Sequence, residues 1–385
     1  MEHLINERVK NIEISGIRKF FNMVSHTEDM ISLTIGQPDF PTPEHVKNAG
    51  VKAIEDNFTS YTHNAGMLEL RASAANFVKQ KYGLDYNPDS EVIVTTGASE
   101  AIDIALRTIL SEGSEVILPG PVYPGYEPII RLCGGIPVHA DIRGNHFRFT
   151  AEVIESYLTE NTRCVVLPYP SNPTGVSLSY DELEEIAALL KDKEVFILAD
   201  EIYSELVYGN RHYSIASFLR EKTIVINGLS KSHSMTGWRI GLLYAPEYLS
   251  KHILKVHQYN VTCATSVSQM AALEALTTGI NDAIPMRNEY EKRRDYVYKR
   301  LTDTGLETVK PDGAFYFFVK IPEFISKNSF DFALDLVKEE KVAVVPGSAF
   351  SSLGEGYFRL SFACSMSTLE KGLNRIENYF NKQKN

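Results

Sequence analysis

Residues Thr223–Arg239 read TIVINGLSKSHSMTGWR. An apolar run, Thr223 to Asn227, ends abruptly in a polar turn that carries Lys231 and closes on Gly237 and Arg239. A lysine amine is a weak nucleophile while protonated and usually stays in water. In a partly desolvated site beside another cation it loses its proton more readily and can form a Schiff base with an aldehyde. Arg239 is the candidate cation.

The same pattern recurs outward from this stretch. Between about Asp89 and Pro246 the runs VIVTT (from Val92), EVILP (from Glu115), RCVVLP (from Arg163), EVFILAD (from Glu194) and RIGLLYA (from Arg239) alternate with longer amphipathic segments. This predicts an α/β fold, a mainly parallel sheet with helices on both faces, because the runs are apolar at nearly every position. Five runs lead straight into unusual polar turns: TGASE, PGPVYPGYEP, PYPSNPTG, DEIYSE and GLSKSHS. In a parallel sheet these turns share one edge, and ligands bind beyond the carboxyl ends of the strands. One composite site is expected.

Beyond the sheet, Tyr248 to Thr278 reads as a helical stretch. MRNEYEKRRDYVYKRL reads as a long, solvated helix leading to a second unit. There, AFYFFVKI, KVAVVPGSAF and YFRLSFA look like strands of a smaller α+β domain. A final helix closes it, with Leu369, Leu373 and Ile376 at helical spacing.

At 385 residues and 44% hydrophobic content the chain is long enough for one large core and one smaller. Its formal charge of -10 is spread over 39 basic and 49 acidic residues without long blocks, which argues against a nucleic-acid or anionic-membrane partner. Cys133, Cys164, Cys263 and Cys364 lie far apart, so neither a disulfide framework nor a metal site is expected, and a reduced cytoplasm is the expected setting. The polar start MEHLINERVKNIEI is unlike a signal core, and no run approaches the roughly 18 apolar residues of a membrane span.

Several turn residues suggest chemistry. Asp200 and Tyr203 in LADEIYSEL would share one side of a helical turn and could hold a pyridine nitrogen and a ring hydroxyl; a strand-end acid with a packed tyrosine is the plainer alternative. Gly97, Ala98 and Ser99 would open a helix with free N–H groups and a hydroxyl, suited to a phosphate but matching neither a Walker A loop nor GxGxxG. Asn172, fixed among prolines, has an amide able to donate to an oxygen. Tyr123 could lie against a planar ligand. Gly36 in LTIGQPDF and Arg359 in YFRLSFA border strand-like runs, and the planar fork of Arg359 suits a carboxylate.

Taken together, IGQPDF, SYTHNAG, TTGASEA, PGPVYPGY, YPSNPTG, DEIYSEL, SKSHSMTGWRIG and YFRLSFA occur in an order that resembles the class I pyridoxal-phosphate aminotransferases, fold type I, gamma-like subgroup, from Ile35 to beyond Arg359. The resemblance implies a large domain of the seven-stranded type at 45–285, an N-terminal arm with part of the small domain at 1–44, and the rest of the small domain at 286–385. It makes Lys231 the Schiff-base lysine, Asp200 the partner of the pyridine nitrogen, and Asn172 and Tyr203 partners of the ring hydroxyl. Tyr123 would stack on the ring, and Gly97, Ala98, Ser99, Ser230 and Arg239 would surround the phosphate. Tyr61 would reach it from the other subunit of a homodimer with shared sites. Gly36, Asn172 and Arg359 would receive the substrate carboxylate. Gly228 stands where many relatives carry a phosphate-binding hydroxyl, so whether Ser230 replaces that group is open.

Within the family the resemblance points to bacterial enzymes assigned to N-acetyl-L,L-diaminopimelate in lysine biosynthesis, with glutamate and 2-oxoglutarate as the second pair. Carbon–sulfur β-lyases, and aminotransferases for aromatic amino acids or aspartate, are the alternatives on the same fold. A cofactor-sensing transcription regulator would need a DNA-binding module that the sequence leaves no room for. Side-chain selection is expected from the arm around Ile17 and Arg18, where Arg18 could read a distal acid or simply be solvated.

Overall fold

The computed structural model describes residues 1–209 and 211–384. A short strand, β1 (Ile31–Ser32), precedes the main sheet. That sheet is built from β2 (Val92–Thr95), β3 (Glu115–Gly120), β4 (Ile136–Asp141), β5 (Thr162–Leu167), β6 (Phe196–Asp200), β7 (Thr223–Gly228) and β8 (Gly241–Tyr244). Its order is β2-β8-β7-β6-β5-β3-β4, parallel except for β8, which runs antiparallel to both neighbours. The predicted α/β sheet is therefore present. One strand, β4, was not read from the sequence.

The apolarity of the runs follows from the pleat, which sends successive side chains to opposite faces. Val225, Ile197, Ala199, Val165 and Leu167 fall in the core on one face, and Ile224, Ile226, Leu198, Cys164 and Val166 in the core on the other. Both faces are covered by helices, so every position must be apolar. Burying a Val, Leu or Ile side chain contributes about 1.5–3 kcal/mol, and this rigid platform carries the turns.

The reversal of β8 explains why five runs rather than six end in functional turns. The carboxyl ends of β2, β3, β5, β6 and β7 share one edge, whereas β8 begins there. Arg239, just before β8, thus reaches the same edge as Lys231, just after β7. Gly228 and Gly241 face each other in the register of these two strands.

The smaller unit contains β9 (Tyr316–Lys320), β10 (Val342–Ala343), β11 (Val345–Pro346) and β12 (Tyr357–Ser361). The order β11-β12-β9 is antiparallel, and β1 pairs in parallel with β10, tying the N-terminal segment to this unit. Leu369, Leu373 and Ile376 of the helix Met366–Lys384 are all buried in its core, as the spacing predicts. Leu206 and Tyr208, from the loop after β6, enter the same core, and Ala314 N–H donates to the Leu206 carbonyl over 2.9 Å. The main sheet's loop is thereby stitched to the smaller unit.

Two helical expectations are corrected. The stretch from Tyr248 to Thr278 is two helices, Glu247–Val261 and Ser266–Thr277, because Thr262 takes φ +67°, outside the helical region. The helix Ala283–Asp303 is not simply solvated: Tyr290, Val297 and Leu301 are buried, and Arg293 is sunk against them with its charge met by Asp39 at 2.9 Å and Glu289 at 3.1 Å. Ion pairing lets a charge-rich segment bury one face.

Candidate active site

The turns converge on one cavity of about 490 Å³, within the range of small-molecule sites. Of the predicted residues, Gly36, Ala98, Ser99, Tyr123, Asn172, Asp200, Tyr203, Ser230, Lys231, Arg239 and Arg359 line it. Gly97 lies directly behind, against the Arg239 guanidinium. Tyr61 does not line it and is 86% exposed on the surface of this chain. Ile17 lines the cavity, whereas Arg18 lines the groove outside it.

Lys231 sits in the single helical turn Leu229–Ser232 that follows β7. Its Nζ donates to the Gly36 carbonyl at 2.6 Å and lies 5.7 Å from the Tyr203 ring centre. Burial, helped by the charges of Arg359 and Arg239 and opposed by Asp200, brings its pKa down to about 8. Desolvation plus like charge therefore prepares this amine as the sequence suggested. Arg239 is one of two cations responsible, and the effect of Arg359 is the larger.

Asp200 ends β6, buried at 7% exposure. Its Oδ2 accepts from the Tyr126 hydroxyl at 2.6 Å and its Oδ1 from Ile202 N–H at 3.2 Å. Burial pushes its carboxyl above the ordinary value, while these two donors pull the other way. Residues 202–205 form a turn rather than the expected helix start, yet Tyr203 still reaches the cavity and shares a 2.8 Å hydrogen bond with the hydroxyl of Tyr316. The Tyr123 ring stands edge to face with Tyr126, 5.5 Å between centres.

The helix Ala98–Ile109 starts at this edge as predicted, after Gly97 at φ +79°. The backbone of Gly97 is in a region that disfavours any side chain, and a Cβ there would also run into the Arg239 guanidinium and push it aside. Arg239 is itself in the left-handed region, φ +55°, and donates to the Thr236 carbonyl at 3.0 Å. The N–H groups of Ala98 and Ser99 belong to the unpaired start of the helix. At Gly228 a Cβ would approach the Ile240 carbonyl to 3.0 Å and Gly241 Cα to 3.3 Å, so the two strands leave little room there for a side chain.

Arg359, from β12, is 2% exposed. It donates to Asn172 Oδ1 at 2.8 Å and to the Thr34 carbonyl at 2.7 Å, and lies between the rings of Tyr316, 4.3 Å away, and Phe350, 5.0 Å away. Its Nε is buried without a partner. Among the described residues, none of Lys231, Arg239 and Arg359 is in an ion pair, and Asp200 is the one carboxylate lining the cavity. A buried guanidinium without a carboxylate is costly, so the arrangement suits an anionic ligand.

Tyr126 and Tyr316 were missed by the sequence reading. Tyr126 lay within the quoted turn PGPVYPGYEP, and its position three after Tyr123 was the available signal. Tyr316 has none, because a tyrosine in AFYFFVKI is indistinguishable from core.

The sequence pattern of the family "Aminotransferase class I and II" matches residues 28–376. A protein of Bacillus subtilis (strain 168) named "Probable N-acetyl-LL-diaminopimelate aminotransferase" is 63% identical, over 100% of this chain and 98% of its own length. "Aromatic-amino-acid aminotransferase 2" of Thermococcus litoralis is 41% identical, over 99% of each chain. The solved structure of a double mutant of Thermus thermophilus aspartate aminotransferase superposes with a TM-score of 0.93 at 34% identity, covering 97% of this chain and 99% of that one.

Proposed function

The chain belongs to the class I and II aminotransferases, and from that membership we propose that it uses pyridoxal 5′-phosphate to exchange an amino group between glutamate and N-acetyl-L,L-diaminopimelate or a similar amino acid. It is a transferase acting on an amino acid and a 2-oxo acid. The observation that carries the cofactor reading is the charge pattern of the cavity: among the described residues, three cations without an ion pair surround the single carboxylate of Asp200.

The residues present fit the cofactor. Its phosphate suits Arg239, the hydroxyls of Ser99 and Ser230, and the free N–H groups of Ala98 and Ser99. Asp200 would hold its ring nitrogen, Asn172 and Tyr203 its ring hydroxyl, and Tyr123 its ring face. When bound, pyridoxal phosphate supplies an aldehyde carbon that captures amines and a ring that absorbs the charge left by a departing Cα proton. Arg359, backed by Asn172 and beside Gly36, binds the substrate carboxylate in a two-pronged grip. Lys231, lowered to about 8, accepts the Cα proton on Nζ and returns it; such a base contributes about 100- to 10,000-fold. The aromatic wall of Tyr316 and Phe350 excludes water around Arg359.

The choice of acylated diaminopimelate is supported by the 63% identical relative. The exposed Tyr61 supports a homodimer in which this phenol serves the neighbouring phosphate. Four unpaired cysteines support a cytoplasmic setting. We divide the chain at 1–44, 45–285 and 286–385.

The test is the visible spectrum of the purified protein with pyridoxal phosphate, before and after L-glutamate. A band that bleaches with one 2-oxoglutarate released per site is expected, followed by its return on adding the keto acid derived from N-acetyl-L,L-diaminopimelate. Release of ammonia and pyruvate from a cysteine conjugate, without amino transfer, would replace the reading by a β-lyase.

A further inference from the structure

The strand-to-helix turn Thr96–Ser99 is held from behind by two side chains that do not line the cavity, Glu100, 10% exposed, and His257, fully buried. Glu100, in the first turn of the helix Ala98–Ile109, accepts from Thr96 N–H with Oε2 at 2.5 Å. Its Oε1 meets Nδ1 of His257 at 2.8 Å. His257 belongs to the helix Glu247–Val261, packed on this one, and is wholly buried. Its Nε2 has no partner. A carboxylate oxygen can only accept, so Nδ1 carries a proton and His257 donates to Glu100.

Both carboxylate oxygens of Glu100 are thus engaged away from the ligand, and Glu100 does not line the cavity. This matters because a free carboxylate in the first helical turn would occupy the same N–H groups that an anion needs. With Thr96 N–H taken by Glu100, the N–H groups of Ala98 and Ser99 remain for the ligand, and Arg239 closes over Gly97.

We propose that Glu100 and His257 are positioning residues that shape the anion-binding turn and hold its carboxylate out of the phosphate's way. The inference rests on the cofactor reading above. Its test compares two probes, pyridoxal phosphate and pyridoxal, titrated into the apoprotein by absorbance, with the ³¹P resonance of the bound phosphate recorded alongside.

Glu100→Ala and His257→Phe should each weaken pyridoxal phosphate about tenfold or more while moving pyridoxal less than about twofold, and should shift the ³¹P signal. His257→Asn, whose Nδ2 takes the place of the ring Nδ1 and can still donate to Glu100, should restore affinity to near the unmodified value. Should Glu100→Ala fail to fold, the His257 pair decides. Equal losses for both probes, or no loss for either, would overturn the inference. An unmodified protein that binds the two probes equally would instead sink the phosphate site itself, and with it the cofactor reading.

Discussion

Arg359 and Asn172, 187 positions apart in the chain, meet where an Arg359 Nη1 donates to Asn172 Oδ1 at 2.8 Å. The contact fixes which way the amide points, leaving its Nδ2 free to donate, and uses one prong of the guanidinium without neutralising it.

Asn172→Asp should therefore be more harmful than its near-identical size suggests. The new carboxylate would satisfy Arg359 internally and compete with the substrate's own. The expected result is a rise in KM for the amino acid of about 100-fold, together with an unchanged or raised Tm. Arg359→Lys should raise KM similarly but lower Tm, since the fork to Asn172 and Thr34 is lost.

Lys231 supplies a pH prediction. With its folded pKa lowered to about 8 from an ordinary 10.5, the folded apoprotein binds fewer protons than the unfolded chain between those values. Apoprotein stability should rise with pH across that window, and Lys231→Met should remove this slope and raise Tm at pH 7. Condensation of the apoprotein with pyridoxal should accelerate through a midpoint near pH 8. A midpoint near 10 would show that burial leaves the amine unperturbed.

Tyr126→Phe removes the strongest donor to Asp200 while keeping the ring. Burial already raises that carboxyl, so loss of the hydroxyl raises it further. The acid limb of kcat/KM should move to higher pH by about one unit.

Gly97→Ala and Gly83→Ala contrast two positive-φ glycines: Gly83 is in the left-handed helical region at φ +74°, ψ 16°, whereas Gly97, at φ +79°, ψ 165°, is in a region open essentially to glycine alone. Nothing lies within 4 Å of a Cβ on Gly83, so only the backbone penalty applies there, about 1 kcal/mol. At Gly97 the methyl would displace Arg239 as well. Pyridoxal phosphate affinity should fall at least about tenfold for Gly97→Ala and stay unchanged for Gly83→Ala.

Much of this molecule was legible because its strands are buried on both faces, which leaves runs such as Thr223–Asn227 unmistakable. The strand Ile136–Asp141 escaped notice for the opposite reason: at the sheet's edge it includes Pro137 and His139 and buries only Ala140 fully. The break at Thr262 carries neither glycine nor proline and gave no local signal. The burial of Arg293 depends on Asp39, more than 250 positions away in the chain, and no window of sequence contains both. In the site, most residues in proline- or glycine-punctuated turns were found, Tyr126 excepted, whereas Tyr316 was hidden because it stands in a strand among the aromatic core residues of AFYFFVKI.

The antiparallel course of β8 has a bearing on how this enzyme can change. The segment Leu229–Ile240 leaves the sheet at Gly228 and returns beside it at Gly241, so Lys231 and Arg239 are anchored on a closed span between neighbouring strands. The loops after β3 and β5 run out to separate helices and can lengthen outward without changing where they began. This span cannot: an inserted residue would alter the separation between the amine and its anion clamp. Diversification toward new substrates is thereby steered to the other loops and the N-terminal arm, while the chemistry stays tied to a span of fixed length.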